Sequence, residues 1–442
     1  MSPDFIAVMM FVLLLFAVFL GHPLATTLGG LGLLFGYIGY GGDISGINFI
    51  IASKTYGLME NYVLVAIPLF ILMAQFLDKS GVADELFDAM YIVFGSVRGG
   101  LALATTVVAT LFAATTGIVG ASVVSMGLLA APSMVKKGYD KKLVAGTVIA
   151  GGTLGILIPP SIMLVVMGGL VGISVGKLFL AAFIPGFLLS GLYLIYIFVY
   201  SLIKPEVGPP LPKEERIHSL GYKIKLTAKS MLPTLFLIFA VLGTIAFGIA
   251  TPTEAAGLGC VGAMILAIAN KRFNFKLMVD AGAATIKITC MVMLIFVGAN
   301  LYTSVFMGLG GGETFTKIIF SISDNRWVIL AVIMMILFVL GMFVDWLGIL
   351  LLTMPIFLPI VDKLGFDQLW FTMLVAVNLQ MSFLTPPFGY SLFYYRGVAP
   401  AGTDLKDIYK GIIPFVILQL IGLILCVIFP SIITYLPNLI MG

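Results

Sequence analysis

The sequence predicts an all-α polytopic membrane protein made of two inverted-topology repeats, each with five spans, one re-entrant hairpin and one broken helix. Three observations predict it. First, 61% of the 442 residues are hydrophobic and 10% are charged, with a mean hydropathy of +1.16, whereas a soluble domain carries about 25% charged residues. Second, two apolar segments are broken by paired prolines: Gly151–Ser161 (GGTLGILIPPS) and Met381–Ser391 (MSFLTPPFGYS), with Pro386-Pro387 lying 227 positions after Pro159-Pro160. Third, the basic residues collect on one side of the resulting threading.

A span needs about 20 apolar residues. Spans are predicted near 4–20, 23–42, 60–78, 143–172, 183–203, 230–249, 252–270, 286–307, 368–395 and 412–435. The N-terminal run has no basic n-region and no small-residue cleavage pattern, so it is expected to be a retained span rather than a signal peptide. Each proline pair removes two backbone donors and clashes with the turn before it. The helices at 143–172 and 368–395 must therefore unwind. Broken backbone at membrane depth is tolerated only where it is buried in protein or lines a cavity.

Two segments are too long for one span, about 99–137 and about 326–362. Their centres are Thr115-Thr116-Gly117-Ile118-Val119-Gly120-Ala121-Ser122 and Gly341-Met342-Phe343-Val344-Asp345. Each could be two spans with a short turn, or a hairpin that enters and leaves on one face. Positive charge decides. With both treated as hairpins and the N-terminus outside, five of the 24 basic residues fall outside (Lys54, Lys177, Lys317, Arg326, Lys363) and the other 19 inside. A full crossing would put Arg98 and Lys136-Lys137 on opposite faces and blur that bias.

An internal repeat supports the same threading. His22–Gly29 resembles Thr251–Leu258; Gly81 matches Gly308, Pro132 matches Pro359 and Pro185 matches Pro414, at offsets of 227 to 229. Residues 1–203 and 230–442 form the two repeats, and five spans being odd turns the second upside down. Residues 204–229, with Pro205, Pro209, Pro210 and Pro212, are the cytoplasmic linker. Short amphipathic pieces are expected at Val82–Gly95, Ile173–Ala182, Thr314–Ser323 and Lys406–Gly411, lying in the interface plane as arms or as ordinary connections. Trp327 and Trp370 fall where an outer aromatic belt is expected. Cys260, Cys290 and Cys426 are expected to be small core residues.

The sequence carries no HExxH, no GxxxxGK[ST] and no GxGxxG after a strand, so no enzyme and no nucleotide-driven pump is expected. His22 and His218 are isolated and suggest no metal site. What remains is two hairpin tips facing two broken helices. Unwound carbonyls and hydroxyls form a hard-oxygen cage suited to Na⁺, and half-helix N-termini offer N–H groups to an anion. The first cation site would use Thr116, Gly117, Gly120, Ser122, Gly155 and Pro159; the second Gly341, Asp345, Thr385 and Pro386. Small-residue packing is the alternative for the first. Asp345, as an intramembrane acid, marks an ion path by default, with an interfacial role as its alternative. Thr153, Ser161, Asn378, Gln380 and Ser382 are substrate-binding candidates; Asn378 and Gln380, with Asn300, could equally bridge helices. Glu254 is placed at a helix start, paired with Thr251.

The stretches LVAIPLFILMAQFLDKSG (64–81), TGIVGASVVSMG (116–127), GGTLGILIPPSIM (151–163) and GIATPTEAAGLG (248–259) resemble the large membrane subunit of tripartite ATP-independent periplasmic (TRAP) transporters, across essentially the whole chain. The resemblance implies an elevator-type fold and Na⁺-driven uptake of an organic acid anion across the bacterial inner membrane, with both termini periplasmic. It implies a small transmembrane subunit, here a separate polypeptide, and a periplasmic solute-binding protein; Na⁺ is the coupling ion, and no cofactor or nucleic acid takes part. The alternative is a self-sufficient dicarboxylate or anion transporter needing no binding protein.

Overall fold

The computed structural model describes residues 3–117, 119–212, 214, 219–387 and 389–441, the side chains of 3, 4, 114–116 and 220 left aside. Among the described residues there are twenty α-helices and no strand. The first half runs α1 (Pro3–Phe19), α2 (Leu24–Gly39), α3 (Ile44–Met59), α4 (Tyr62–Lys79), α5 (Val82–Phe94), α6 (Gly100–Thr116), α7 (Val119–Lys136), α8 (Lys141–Thr153), α9 (Ile162–Val171) and α10 (Val175–Ile203). The second runs α11 (Leu220–Ala246), α12 (Pro252–Ala269), α13 (Phe275–Gly308), α14 (Gly311–Phe320), α15 (Arg326–Gly341), α16 (Trp346–Lys363), α17 (Gln368–Ser382), α18 (Tyr390–Val398), α19 (Leu405–Ile428) and α20 (Ser431–Met441). Eight described helices are long and apolar enough to cross a membrane.

The same order recurs in both halves: α1–α2 with α11–α12, α5 with α14, α6–α7 with α15–α16, α8–α9 with α17–α18, and α10 with α19. One difference is instructive. The Asn61 side chain accepts from the Val63 N–H at 3.1 Å and starts α4 anew, whereas the matching stretch runs unbroken as the 34-residue α13. Partners are exchanged between halves: α4 packs on α12 and α13 on α2, while α9 packs on α16 and α18 on α7. A pseudo-two-fold axis between inverted halves produces that exchange.

Both long segments are hairpins whose ends meet on one side. α6 packs along α7, and their outer ends bond to two adjacent linker residues, Gly99 N–H to Gly208 O at 2.8 Å and Asp140 N–H to Val207 O at 3.0 Å. Tyr139, just beyond α7, accepts at its hydroxyl from Leu101 N–H at 3.0 Å. In the second hairpin, Trp327 at the start of α15 and Phe366 beyond α16 stack edge-on with ring centroids 5.2 Å apart. Glu254 caps α12 as expected: its carboxylate accepts from Thr251 N–H at 2.8 Å.

Several boundaries differ from expectation. Ile173–Ala182 and Lys406–Gly411 are not separate amphipathic pieces but the opening turns of α10 and α19, because Pro185 and Pro414 lie inside those helices without ending them. Thr314–Ser323 and Val82–Gly95 do correspond to the short helices α14 and α5. The linker is shorter than 204–229, since the Ser219 hydroxyl caps α11 at Leu220. Nor is it loose: Val207 and Leu211 are buried, and Leu211 N–H bonds Gly95 O at 2.9 Å. Helix α3 was not foreseen, nor was α20. Trp370 is buried with its indole N–H on Cys426 O at 3.0 Å, not in an outer belt. Cys290 is exposed while Cys260 and Cys426 are buried; beyond Lys276, Asp280 and Lys287, α13 is largely apolar on every side, so its sequence does not mark which face meets lipid.

Helices touch through glycines. A Cβ on Gly146 would sit 2.2 Å from Gly411 O, and one on Gly411 would sit 2.2 Å from Lys142 O, so α8 and α19 meet backbone to backbone. Such overpacking costs about 1–3 kcal/mol. Gly411→Val is therefore expected to lower the melting temperature in detergent by a few degrees. Gly243→Ala, with nothing within 4 Å of the added carbon, should not lower it. A Gly411→Val protein that melts with the parent would contradict this packing.

Candidate functional site

The first break explains its own sequence residue by residue. Gly151 lets α8 approach Ala109 of α6, where a Cβ would lie 2.8 Å from the alanine methyl; Gly152 does the same for Val123 of α7, at 2.4 Å from its side chain and 3.0 Å from its Cα. Thr153 returns its hydroxyl to Ala150 O at 2.8 Å. The helix tightens to a 3₁₀ turn over Leu154–Ile156 and stops at Pro159-Pro160, joined by a cis bond. Had the helix continued, the N–H at position 160 would have bonded Ile156 O, four residues back. Proline has no such donor. The Ser161 hydroxyl supplies it, donating to Ile156 O at 2.5 Å, and Ser161 Oγ in turn accepts from Leu164 N–H at 3.4 Å to start α9.

The second break repeats the device. Pro387 removes the donor that Phe383 O would have received, and the Ser391 hydroxyl donates to that carbonyl at 2.5 Å. Ser382 bonds back to Leu379 O at 2.8 Å, as Thr153 does in the first half. Thr385 donates to Met381 O at 2.9 Å, which leaves its oxygen lone pairs open. The Pro386-Pro387 bond is also cis.

Each hairpin tip ends at its neighbouring break. Gly117, in left-handed conformation at φ +60°, has the Pro160 carbonyl 3.4 Å and Ile162 N 3.3 Å from where a Cβ would stand. On Gly341 a Cβ would fall 2.0 Å from Ser382 Oγ. Glycine is required at both points by close approach. Asp345 caps α16, accepting from Leu347 N–H at 3.2 Å. Between the tips lies a cavity of about 120 Å³, lined among others by Gly117, Gly120, Ile162, Asp345, Phe383, Tyr390 and Tyr394. A second cavity of about 310 Å³, beside the α1–α2 turn, shares Asp345 and Tyr390 with it.

The structure thus brings Gly117 beside Pro160 and Ile162, and Gly341 beside Ser382 rather than the expected Thr385–Pro387. Gly155, Pro159 and Ser122 are buried beside them in their helices and turn; the side chain of Thr116 and residue Ile118 lie outside the described residues. Gly120 faces the Tyr394 ring, 3.1 Å from an added Cβ. Ser161, Thr153 and Ser382 bond within their own breaks, and Asn378 donates to Met334 O at 2.8 Å, bridging α17 and α15. Gln380 is buried, its amide without a hydrogen-bond partner among the described residues. Of the five substrate candidates, none is among the described residues lining either cavity. Sequence reasoning missed Ser391, although its place 230 positions after Ser161 was a readable signal. It also missed Tyr390 and Tyr394, which carry no motif.

Paired hairpins and paired broken helices closing on one cavity within an apolar bundle define a polytopic membrane transporter. The family model of the tripartite ATP-independent periplasmic transporter DctM component matches residues 7–432, and the chain belongs to that family. It is 33% identical over 393 residues to the C4-dicarboxylate TRAP transporter large permease protein DctM of Pseudomonas aeruginosa, covering 88% of this chain and 89% of that one. To the protein of the same name from Vibrio cholerae serotype O1 it is 32% identical over 460 residues, covering 98% of each. The fold is similar to the crystal structure of the Alcanivorax borkumensis YdaH transporter, with a TM-score of 0.64 at 14% identity over 98% of each chain.

A buried carbonyl left without its donor costs about 1–3 kcal/mol. Ser161→Ala and Ser391→Ala should each lower the melting temperature, with Ser161→Thr recovering much of the first loss. Unchanged melting in both alanine variants would show that the hydroxyls do not hold the breaks.

Proposed function

We propose that the chain is the translocating subunit of a TRAP transporter that takes up an organic acid anion across the bacterial inner membrane, driven by Na⁺. The observation that carries this reading is the convergence of both tips and both breaks on a single cavity. The C4-dicarboxylate named for the relatives supports a carboxylate as the solute. Two repeats support two cation sites. The first is formed by Thr116, Gly117, Gly120, Ser122, Gly155 and Pro159, and the second by Gly341, Asp345, Thr385 and Pro386. Their donors are oxygens, carbonyl, hydroxyl and carboxylate, the set that suits a hard cation. Gly117 at the first tip, beside the Pro160 carbonyl, and Asp345 at the second fit that chemistry.

In this reading the hairpins and broken helices, with α10 and α19, move as an elevator block against a scaffold of α1–α4 and α11–α13. The repeats are 1–203 and, from the start of α11, 220–442, and the termini are periplasmic, the threading that leaves most basic residues inside. A separate small transmembrane subunit completes the scaffold, and a periplasmic solute-binding protein delivers the anion.

Three measurements test the reading. In liposomes, uptake of a C4-dicarboxylate should require the small subunit, the binding protein and an inward Na⁺ gradient together; uptake by this chain alone would favour a self-sufficient transporter. Ser122→Ala and Thr385→Ala should raise the Na⁺ concentration for half-maximal uptake by roughly tenfold, the scale of one lost charge-assisted contact. Replacing Pro159 and Pro160 together by alanine restores two donors, so the helix should close and transport cease while insertion persists. Full transport in that variant would remove the break from the mechanism.

A further inference from the structure

A cavity of about 400 Å³ lies where α5, α11 and α12 meet, and it shares no lining residue with the two cavities around Asp345. Its polar lining is unbalanced in charge. Lys229 of α11 and Lys271, just past α12, stand on it against one carboxylate, Glu85 of α5. Neither lysine is ion-paired among the described residues. Val82, the first residue of α5, lines it as well and brings the positive end of that helix's dipole. A third cation stands close by: Arg272 Nε is 3.3 Å from where a Cβ would sit on Gly81, the residue before α5.

Two of the lining residues are held against local preference. Lys271 N–H bonds Ile268 O at 2.9 Å and Arg272 N–H bonds Ala267 O at 3.0 Å, the closing pattern of a helix whose next residue is left-handed and ordinarily glycine. Here that residue is a lysine at φ +54°, and among the described residues no other non-glycine has a positive φ. Thr234 of α11 is 1% exposed, and its hydroxyl has no hydrogen-bond partner among the described residues. It does not turn back to the carbonyl four residues earlier, as Thr244 of the same helix does at 2.9 Å. Buried Ser230, one turn before it, lines the cavity too. A left-handed lysine and an unpaired buried hydroxyl each cost stability. Both stand on the same cavity.

We propose that this cavity binds a phosphate group, with Lys229 and Lys271 supplying charge and the Ser230 and Thr234 hydroxyls donating to its oxygens. A phosphate is all acceptor, and ammonium groups and hydroxyls are the donors it needs. The group comes from the headgroup of an anionic phospholipid or from free phosphate. Basic pockets between helices at the cytoplasmic face suit such headgroups. Pro233, Leu266 and Ala269 complete the lining, and their neighbours Leu232, Ile265 and Ile268 are exposed apolar side chains along which acyl chains can lie. Only the placing at the cytoplasmic face rests on the threading proposed above; the binding chemistry does not.

Thermal unfolding of the purified, delipidated chain in detergent tests it, with no readout that depends on Na⁺ or uptake. Dioctanoyl phosphatidylglycerol, inorganic phosphate and dioctanoylglycerol are titrated in turn. A saturable rise in melting temperature is expected with a phosphate-bearing probe and none with dioctanoylglycerol. A rise with the phospholipid alone assigns the site to a headgroup; an equal rise with inorganic phosphate at similar concentration assigns it to the free ion. Lys229→Gln should raise the half-saturating concentration about tenfold, the scale of one charge-assisted hydrogen bond. Thr234→Val should raise it about threefold, while the ligand-free protein melts no lower than the parent, because an unpaired hydroxyl has gone. Lys271→Gly should behave likewise, since glycine suits the left-handed position. Lys225→Gln, at an exposed lysine of α11 outside the lining, should leave it unchanged. The proposal is overturned by the absence of a saturable rise with either phosphate probe. It is equally overturned if Lys229→Gln and Thr234→Val leave the half-saturating concentration unchanged, or if Lys225→Gln raises it as much as they do.

Discussion

A carbonyl without a donor inside an apolar bundle is the constraint on which this structure turns. Each proline pair creates such carbonyls, and water is not at hand to satisfy them. The chain answers with a serine one position past the first pair and four past the second. Ser161 serves Ile156 O and Ser391 serves Phe383 O, each the acceptor that the second proline of its pair abandons. Because a side chain closes the gap, the backbone between stays unwound instead of being forced back into helix. That is how an interruption inside the membrane survives as a stable shape. The glycines before and opposite the breaks then let the hairpins close over them, and the cavity follows from where the tips stop.

The two halves share this plan but not every contact. Around the first hairpin, Ser125 of α7 donates to the Asp78 carboxylate of α4 at 2.7 Å. Around the second, Thr303 of α13 donates to Leu351 O of α16 at 3.3 Å. The acid at the second tip, Asp345, has no counterpart at the first.

Much of this was legible in the sequence. The prolines, the Gly-rich centres of the long segments and the sidedness of Lys and Arg fixed the hairpins, the breaks and the pairing of tip with break. The pairing of Glu254 with Thr251 was readable from its capping pattern. The rest was not, for physical reasons. Periodicity carries little signal where a helix is largely apolar on all faces, so the exposure of Cys290 and the burial of Trp370 could not be told apart. Prolines inside α10 and α19 read as boundaries although a helix in a bundle tolerates them. The hydroxyls of Thr153 and Ser382 looked free for a solute, but short polar side chains in a dry helix turn back to their own carbonyls. Tyr390 and Tyr394 belong to no motif; only folding places their rings on the cavity.

The central claim is that backbone and hydroxyl oxygens at the tips and breaks hold Na⁺, and the permease alone can answer it. A ligand that binds only the folded state raises its melting temperature. Thermal unfolding of the purified chain in detergent, compared in NaCl and in KCl at equal ionic strength, measures that directly. The account expects a higher melting temperature in NaCl that rises with concentration and saturates. Identical curves in the two salts would contradict it.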